Sequence, residues 1–221
     1  MINKTIYSLL FFCCISIYSQ NSISYKGEDI NALDENNLQT GIWKLYDDEN
    51  NNIIETEFKN GKIIGDTKFY KNLKLIAAYN NYDELTIYKD SDTIKIHFFR
   101  KADKNYILID QNGKELDKEI ANYSYLTGLV MPLYYGGNSK LYEFIGNNID
   151  YNKIKKNTGK VMVKFSINAK GQSSNIEIIE STNPELNEEV IRVVSILPRW
   201  QPGYQNGAFV NCFYTIPVKI N

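Results

Sequence analysis

The stretch NPELNEEVIRVVSILPRWQPG, Asn183 to Gly203, decides how the carboxy-terminal part of this chain is read. Asn183 has the side-chain oxygen that caps an orphaned helix N–H, and Pro184 at the first helical position lacks only a donor the helix does not need. Glu185, Glu188 and Glu189 then lie toward the positive end of the helix, where its dipole favours negative charge. Leu186, Val190, Val193, Val194 and Leu197 recur at intervals of three and four, which makes one apolar face. Pro198 cannot continue the helix and ends it. Trp200, following a helix end, is expected to plug a core rather than to form a binding surface with Tyr204.

Working outward, Val161, Val163, Phe165 and Ile167 alternate with Lys160, Met162, Lys164 and Ser166, the period of a half-buried strand. Asn168 to Gly171 supplies a turn, and Ile176 and Ile178 continue a partner strand. Further upstream, Asn138 is placed to cap a first helix whose stripe is Leu141, Phe144, Ile145 and Ile149. Beyond the quoted stretch, Asn206-Gly207 is a turn signal, and Ala208 to Ile220 reads as a final strand in which Pro217 is tolerable only near an edge. From a boundary at Gly136-Gly137, residues 136–221 are thus expected to form an α-β-β-α-β unit, two helices on a three-stranded antiparallel sheet.

This block resembles the carboxy-terminal domain of TonB-type energy transducers. The residues that carry the resemblance are Leu197-Pro198-Arg199-Trp200-Gln201-Pro202-Gly203 with Asn206-Gly207, similar to the family's MPkWkPG…nG signature, and NPELNEEVIRVV, similar to its dpeLdeEAlrVv. The family commonly has Tyr-Pro after the first helix; here Tyr151 is followed by Asn152. The resemblance implies a domain that binds proteins, in which an extended receptor segment pairs with the last strand. On this sequence that edge is Val210, Cys212, Phe213, Tyr214, Thr215 and Ile216, with Tyr151 nearby and Pro198, Trp200, Pro202 and Gly203 as signature positions.

The rest of the chain is organised differently. Lys4 and the apolar run Ile6 to Tyr18 read as an export signal spanning residues 1–19, with cleavage after Ser19. The alternative readings are a retained membrane anchor and lipidation at Cys13 or Cys14. Removal of the signal leaves Cys212 as the last of the 3 cysteines, with no intramolecular disulfide to form. Residues 20–37 are polar and aperiodic, and a poorly ordered leader is expected. Residues 38–135 are β-rich: Gly41-x-Trp43-x-x-Tyr46 is echoed by Gly65-x-x-x-Phe69-Tyr70, with turn signals at Asn50–Asn52 and Asn60-Gly61. This pattern looks like a meander of MORN-like hairpin repeats, an unrelated β-meander being the alternative. Residues 116–133 read as a short helix or an irregular linker. The expected class is therefore α+β, a β-meander followed by a TonB-like two-layer domain.

Composition points away from several functions. The chain is 43% apolar and 23% charged with a formal net charge of −1, so neither half is a nucleic-acid surface. The single histidine, His97, lies on the polar side of an alternating strand and is read as solvated. Asp47-Asp48-Glu49 lacks the glycine and glutamate spacing of a calcium loop. No phosphate loop, nucleophile elbow or paired-histidine motif occurs. The sequence thus predicts no enzyme, no metal, no cofactor and no small-molecule substrate. It predicts a periplasmic protein-interaction module whose partner is an envelope protein, such as a TonB-dependent outer-membrane receptor, with a homodimer as a second use of the edge. The alternative is a structural or regulatory envelope protein whose repeats make the main contact. A transducer needs a membrane helix and a proline-rich spacer, and with 5 prolines in all the chain is not expected to transmit force by itself.

Overall fold

The computed structural model describes residues 21–48, 50–80, 84–100 except 90 and 91, 106–115, 130–205 and 207–221. The expected export signal, most of the segment 116–133 and the side chain of His97 lie outside the described residues. Among those residues, no helix is long and apolar enough to cross a membrane.

Nine strands follow one another as an antiparallel meander: β1 (Asn21–Tyr25), β2 (Glu28–Leu33), β3 (Gln39–Asp47), β4 (Asn52–Lys59), β5 (Lys62–Lys71), β6 (Lys74–Tyr79), β7 (Glu84–Lys89), β8 (Asp92–Arg100) and β9 (Tyr106–Asp110). Among the described residues the sheet begins at Asn21, so most of the expected leader is strand. Tyr25 pairs with Glu28 and Ile23 with Ile30, and Ile30, Ala32 and Leu33 are buried, which orders a segment whose polarity hides its few apolar anchors. Tight turns explain the meander. Lys26-Gly27, Asn60-Gly61 and Asn72-Leu73 each place two successive residues at positive φ, the geometry of the hairpin turn that matches strand twist.

Alternation sends Trp43, Leu45, Ile54, Thr56, Phe58, Thr67 and Phe69 to one face, all buried. The opposite face is wet and carries a cross-strand ladder. There Lys44 pairs with Glu28 and stands 3.6 Å from Glu55, which lies 4.0 Å from Lys68. Lys44 and Glu55 are half-buried and their outer partners exposed, so these pairs contribute modestly to stability and keep that part of the face polar.

The tip of the β5–β6 hairpin is a strained exception. Leu73 has φ 63° and is 83% exposed, so it suffers the left-handed penalty without burying its side chain. Leu73→Gly should raise stability by roughly 0.5–1 kcal/mol, the relieved strain being partly offset by glycine's larger unfolded-state entropy. A lower thermal midpoint for the variant would contradict this.

The second part comprises α1 (Gly137–Asn148), β10 (Gly159–Ile167), β11 (Ser173–Ser181), a 3-10 turn (Pro184–Leu186), α2 (Asn187–Ser195), a short hairpin of β12 (Gly203–Gln205) and β13 (Ala208–Val210), and β14 (Cys212–Ile220). β10 is the centre of a three-stranded antiparallel sheet in the order β11-β10-β14. Fold class and element order agree with the sequence reading: α+β, with α-β-β-α-β on a three-stranded sheet. The core is made of Leu141 and Ile145 from α1, Val190, Val193 and Val194 from α2, the inward residues of β10, and Ile216, Val218 and Ile220 of β14.

Local details differ at both helix starts. The side chain of Asn183 does cap, accepting from Glu185 N at 3.2 Å, but it opens the 3-10 turn that leads into α2. Asn138 does not cap α1. Gly136, at φ 85°, holds that position without a side-chain bond, because only a left-handed residue turns the chain there.

A buried carboxylate ties the two helices together. Glu189 of α2 is 1% exposed and accepts from Arg192 at 2.9 and 2.6 Å and from Asp150 N at 2.7 Å. Arg192 also donates to Asn148 O at the end of α1. The Arg192 bonds, followed by the Asp150 N–H, hold the Glu189 carboxyl below its usual range. The stabilisation is complete above the unfolded carboxyl pKa of about 4.3 and is lost as pH falls through the lower folded value. Glu189→Gln should therefore cost roughly 1–3 kcal/mol at pH 7, and the gap to wild type should narrow in acid. Equal midpoints at pH 7 would refute the assignment.

Candidate functional site

β14 is the candidate site because of its edge. It pairs with β10 at nine consecutive positions, Gly159 with Ile220 through to Ile167 with Cys212, without a register shift, and no strand adjoins its other side among the described residues. The opposite edge, β11, is irregular: its pairing with β10 shifts twice, and Asn175 has φ 52°. Bulges of this kind blunt an edge against further pairing. β14 has no bulge, and carries only Pro217 and Lys219 toward its far end. Proline is confined to edge strands with its nitrogen turned away from the ladder, which places the Phe213, Thr215 and Lys219 N–H groups, of the same parity, on the free side.

The sequence-predicted edge residues divide three ways. Phe213, 66% exposed, and Thr215 face solvent. Cys212 and Ile216 are buried and Tyr214 is half-buried, with its ring 4.9 Å from that of Trp200. Burial pushes the Cys212 thiol up, away from thiolate chemistry. Val210 is not part of this strand. The expected continuous strand from Ala208 breaks at Asn211, whose side chain accepts from Ala169 N at 2.9 Å, and Val210 pairs with Gly203 in the β12–β13 hairpin. Tyr151 is 46% exposed, in a loop whose neighbours Asp150, Lys153 and Asn157 are tied to Glu189, Glu188 and Glu185 at the start of the second helical segment.

The signature residues hold the two parts of the chain together, a role that the sequence reading missed. Trp200 is 1% exposed in the core beside Tyr134 and Phe165, as its position after a helix end suggests. Its neighbours point the other way. Arg199 donates to Asn21 O at 2.7 Å, Asn31 O at 2.6 Å and Lys170 O at 3.1 Å, and its guanidinium lies 5.4 Å from the Trp43 ring centroid. Burial lowers its pKa from the ordinary arginine value. Gln201 accepts from Tyr46 N at 2.7 Å and donates to Tyr46 O at 2.9 Å, so a carboxamide stands in for a strand neighbour of β3. Asn31 does the same at Lys44, accepting from its N at 2.7 Å and donating to its O at 3.1 Å. Asn31 also donates to the Tyr135 hydroxyl, whose pKa burial pushes up to about 12. Pro198 is exposed, whereas Pro202 and Gly203 are buried. A Cβ on Gly203 would meet Cys212 Sγ at 2.4 Å.

The β12–β13 hairpin completes this contact. Tyr204 and Phe209 lie against Phe69, Trp43 and Phe58 at ring separations of 5.5–6.1 Å, and so cover the apolar face of the meander. One clue was legible: two aromatics flanking an Asn-Gly turn, in a segment too short to build its own core, need a surface to cover.

No curated protein and no solved structure matches the chain. Residues 151–220 match the family model described as Gram-negative bacterial TonB protein C-terminal. With α2, its three-stranded sheet and the buried Trp200, that segment matches the TonB C-terminal domain, a family whose role is protein interaction in the Gram-negative cell envelope.

Proposed function

We propose that this chain is a periplasmic adaptor that binds an extended segment of an envelope protein, such as a TonB-dependent outer-membrane receptor, by strand addition along β14. It acts by binding and carries out no covalent chemistry. The supporting observation is the asymmetry of the sheet: a regular nine-residue edge at β14 against a bulged one at β11. Main-chain hydrogen bonds from such an edge supply affinity, and the alternating side chains supply selectivity.

Phe213→Pro tests this with little cost to the fold. It removes a donor from the free side of β14 and an exposed ring, and leaves the β10 ladder intact. The variant should melt within about 1 kcal/mol of wild type, yet co-purify with at least tenfold less outer-membrane receptor from detergent extracts. Unchanged capture would rule out the edge. The full chain is the reagent to use, because residues 136–221 alone would expose Tyr204, Phe209 and Arg199.

A further inference from the structure

The outer face of the β10–β14 pair concentrates positive charge. Lys160 stands directly opposite Lys219, and Lys164 opposite Thr215. Like charges directly opposite in an antiparallel pair repel, and most sheets avoid the arrangement. Neither strand contains Asp or Glu, and among the described residues none of these three lysines forms a salt bridge. The carboxylates of this sheet lie on β11, with Glu177 opposite Lys164 and Glu180 opposite Met162. The face therefore runs from acidic at the blunted edge to basic at the free one. Beside the lysines lies an apolar shelf, the exposed Phe213 ring, with Lys164 Nζ 4.9 Å from its centroid. The other side of β14 offers Tyr214 and Ile216 next to the helix layer.

We infer that the segment added to β14 is acidic, alternating carboxylate side chains on the outer face near Lys219, Lys160 and Lys164 with apolar side chains turned toward Tyr214 and Ile216. This inference rests on the strand-addition reading and specifies its partner. A second copy of this chain fits poorly: pairing two β14 strands brings another set of the same lysines to the basic end of the face, away from the carboxylates of β11. An acidic strand instead places opposite charge across from Lys219, where cross-strand pairing favours it, and electrostatic complementarity adds selectivity and speed of encounter.

The test uses the full chain and three fluorescein-labelled seven-residue peptides that alternate Val with Glu, Thr or Lys, with binding read by anisotropy at low ionic strength. The Glu peptide should bind at least about tenfold tighter than the others, and its advantage should shrink in molar salt. Lys160→Glu combined with Lys219→Glu should reverse the preference toward the Lys peptide, and Phe213→Pro should abolish binding of all three. Lys219→Ser, a milder change at an exposed position, should by itself weaken the Glu peptide severalfold. Circular dichroism establishes that each variant is folded. Equal affinity for the three peptides, lost in Phe213→Pro, would overturn the acidic assignment and leave edge pairing standing. Failure of all three to bind would overturn edge pairing itself. A Glu preference that survives the double lysine variant would put acid recognition elsewhere and overturn the inference.

Discussion

Tyr204→Ala should destabilise the protein by about 3–5 kcal/mol, the cost of deleting a large buried aromatic, and the damage should appear mainly in the meander. Tyr204 is fully buried in a cluster with Leu45, Ile54, Phe69, Ala77, Leu85 and Ile87, all from the nine-stranded sheet, although it belongs to the segment matched by the TonB family model. A single sheet with one apolar face is stable only if something covers that face. Here the cover is the β12–β13 hairpin together with Val130, which exchanges backbone hydrogen bonds with Tyr204 at 2.7 and 3.0 Å. Wild type should therefore unfold in one transition. In Tyr204→Ala the meander should melt first, exposing Trp43 to solvent, while Trp200 stays buried in the second core. Tyr204→Phe is the control: the hydroxyl is buried without a hydrogen-bond partner among the described residues, so its loss should change stability by less than about 1 kcal/mol. Simultaneous loss of both tryptophan signals in Tyr204→Ala would show that the second part cannot stand without the meander.

Gly171→Ala should be still more damaging, with a loss above roughly 3 kcal/mol. Gly171 has φ +80°, and a Cβ there would sit 2.0 Å from Trp200 O and 3.2 Å from Trp200 N. The two backbones are also joined, Trp200 N donating to Gly171 O at 2.7 Å. An added methyl must push aside the segment that places Trp200 in the core and carries Arg199 and Gln201 to the meander. Gly113→Ala separates strain from contact: Gly113 has φ +81° with nothing within 4 Å of the added Cβ, so it bears the backbone penalty alone, about 1–2 kcal/mol. If the two variants lose the same stability in urea unfolding, the close approach at Trp200 has no energetic weight.

How much of this was legible varies by element. The α2 segment could be read because capping, charge placement and apolar spacing act over a few residues, and Asn183, Pro184 and the Val190–Val194 stripe agree with one another. The hairpins could be read where Asn-Gly demands positive φ. The beginning of the meander could not, because β1 and β2 have few apolar residues and are ordered by neighbours, Tyr25 against Tyr46 and Tyr135, and Arg199 on the Asn21 and Asn31 carbonyls. Val210 was misplaced for a related reason. Alternation continues through Asn211, and only the contact of Asn211 with the Asn168–Gly171 turn shows that the strand breaks there.

By itself the sequence determined the α+β class, the order of elements in residues 136–221, the burial of Trp200 and the identity of the last strand, since these follow from periodicity and backbone sterics within short windows. Only the tertiary structure decided that Arg199 and Gln201, on either side of Trp200, clasp the meander, that Tyr204 and Phe209 belong to its core, and that β14 keeps a regular open edge while β11 does not. These depend on backbone carbonyls and apolar faces as far as 178 residues away in the chain. Packing brings such groups together, and beyond the aromatic pair flanking the Asn206-Gly207 turn signal no local spacing points to them.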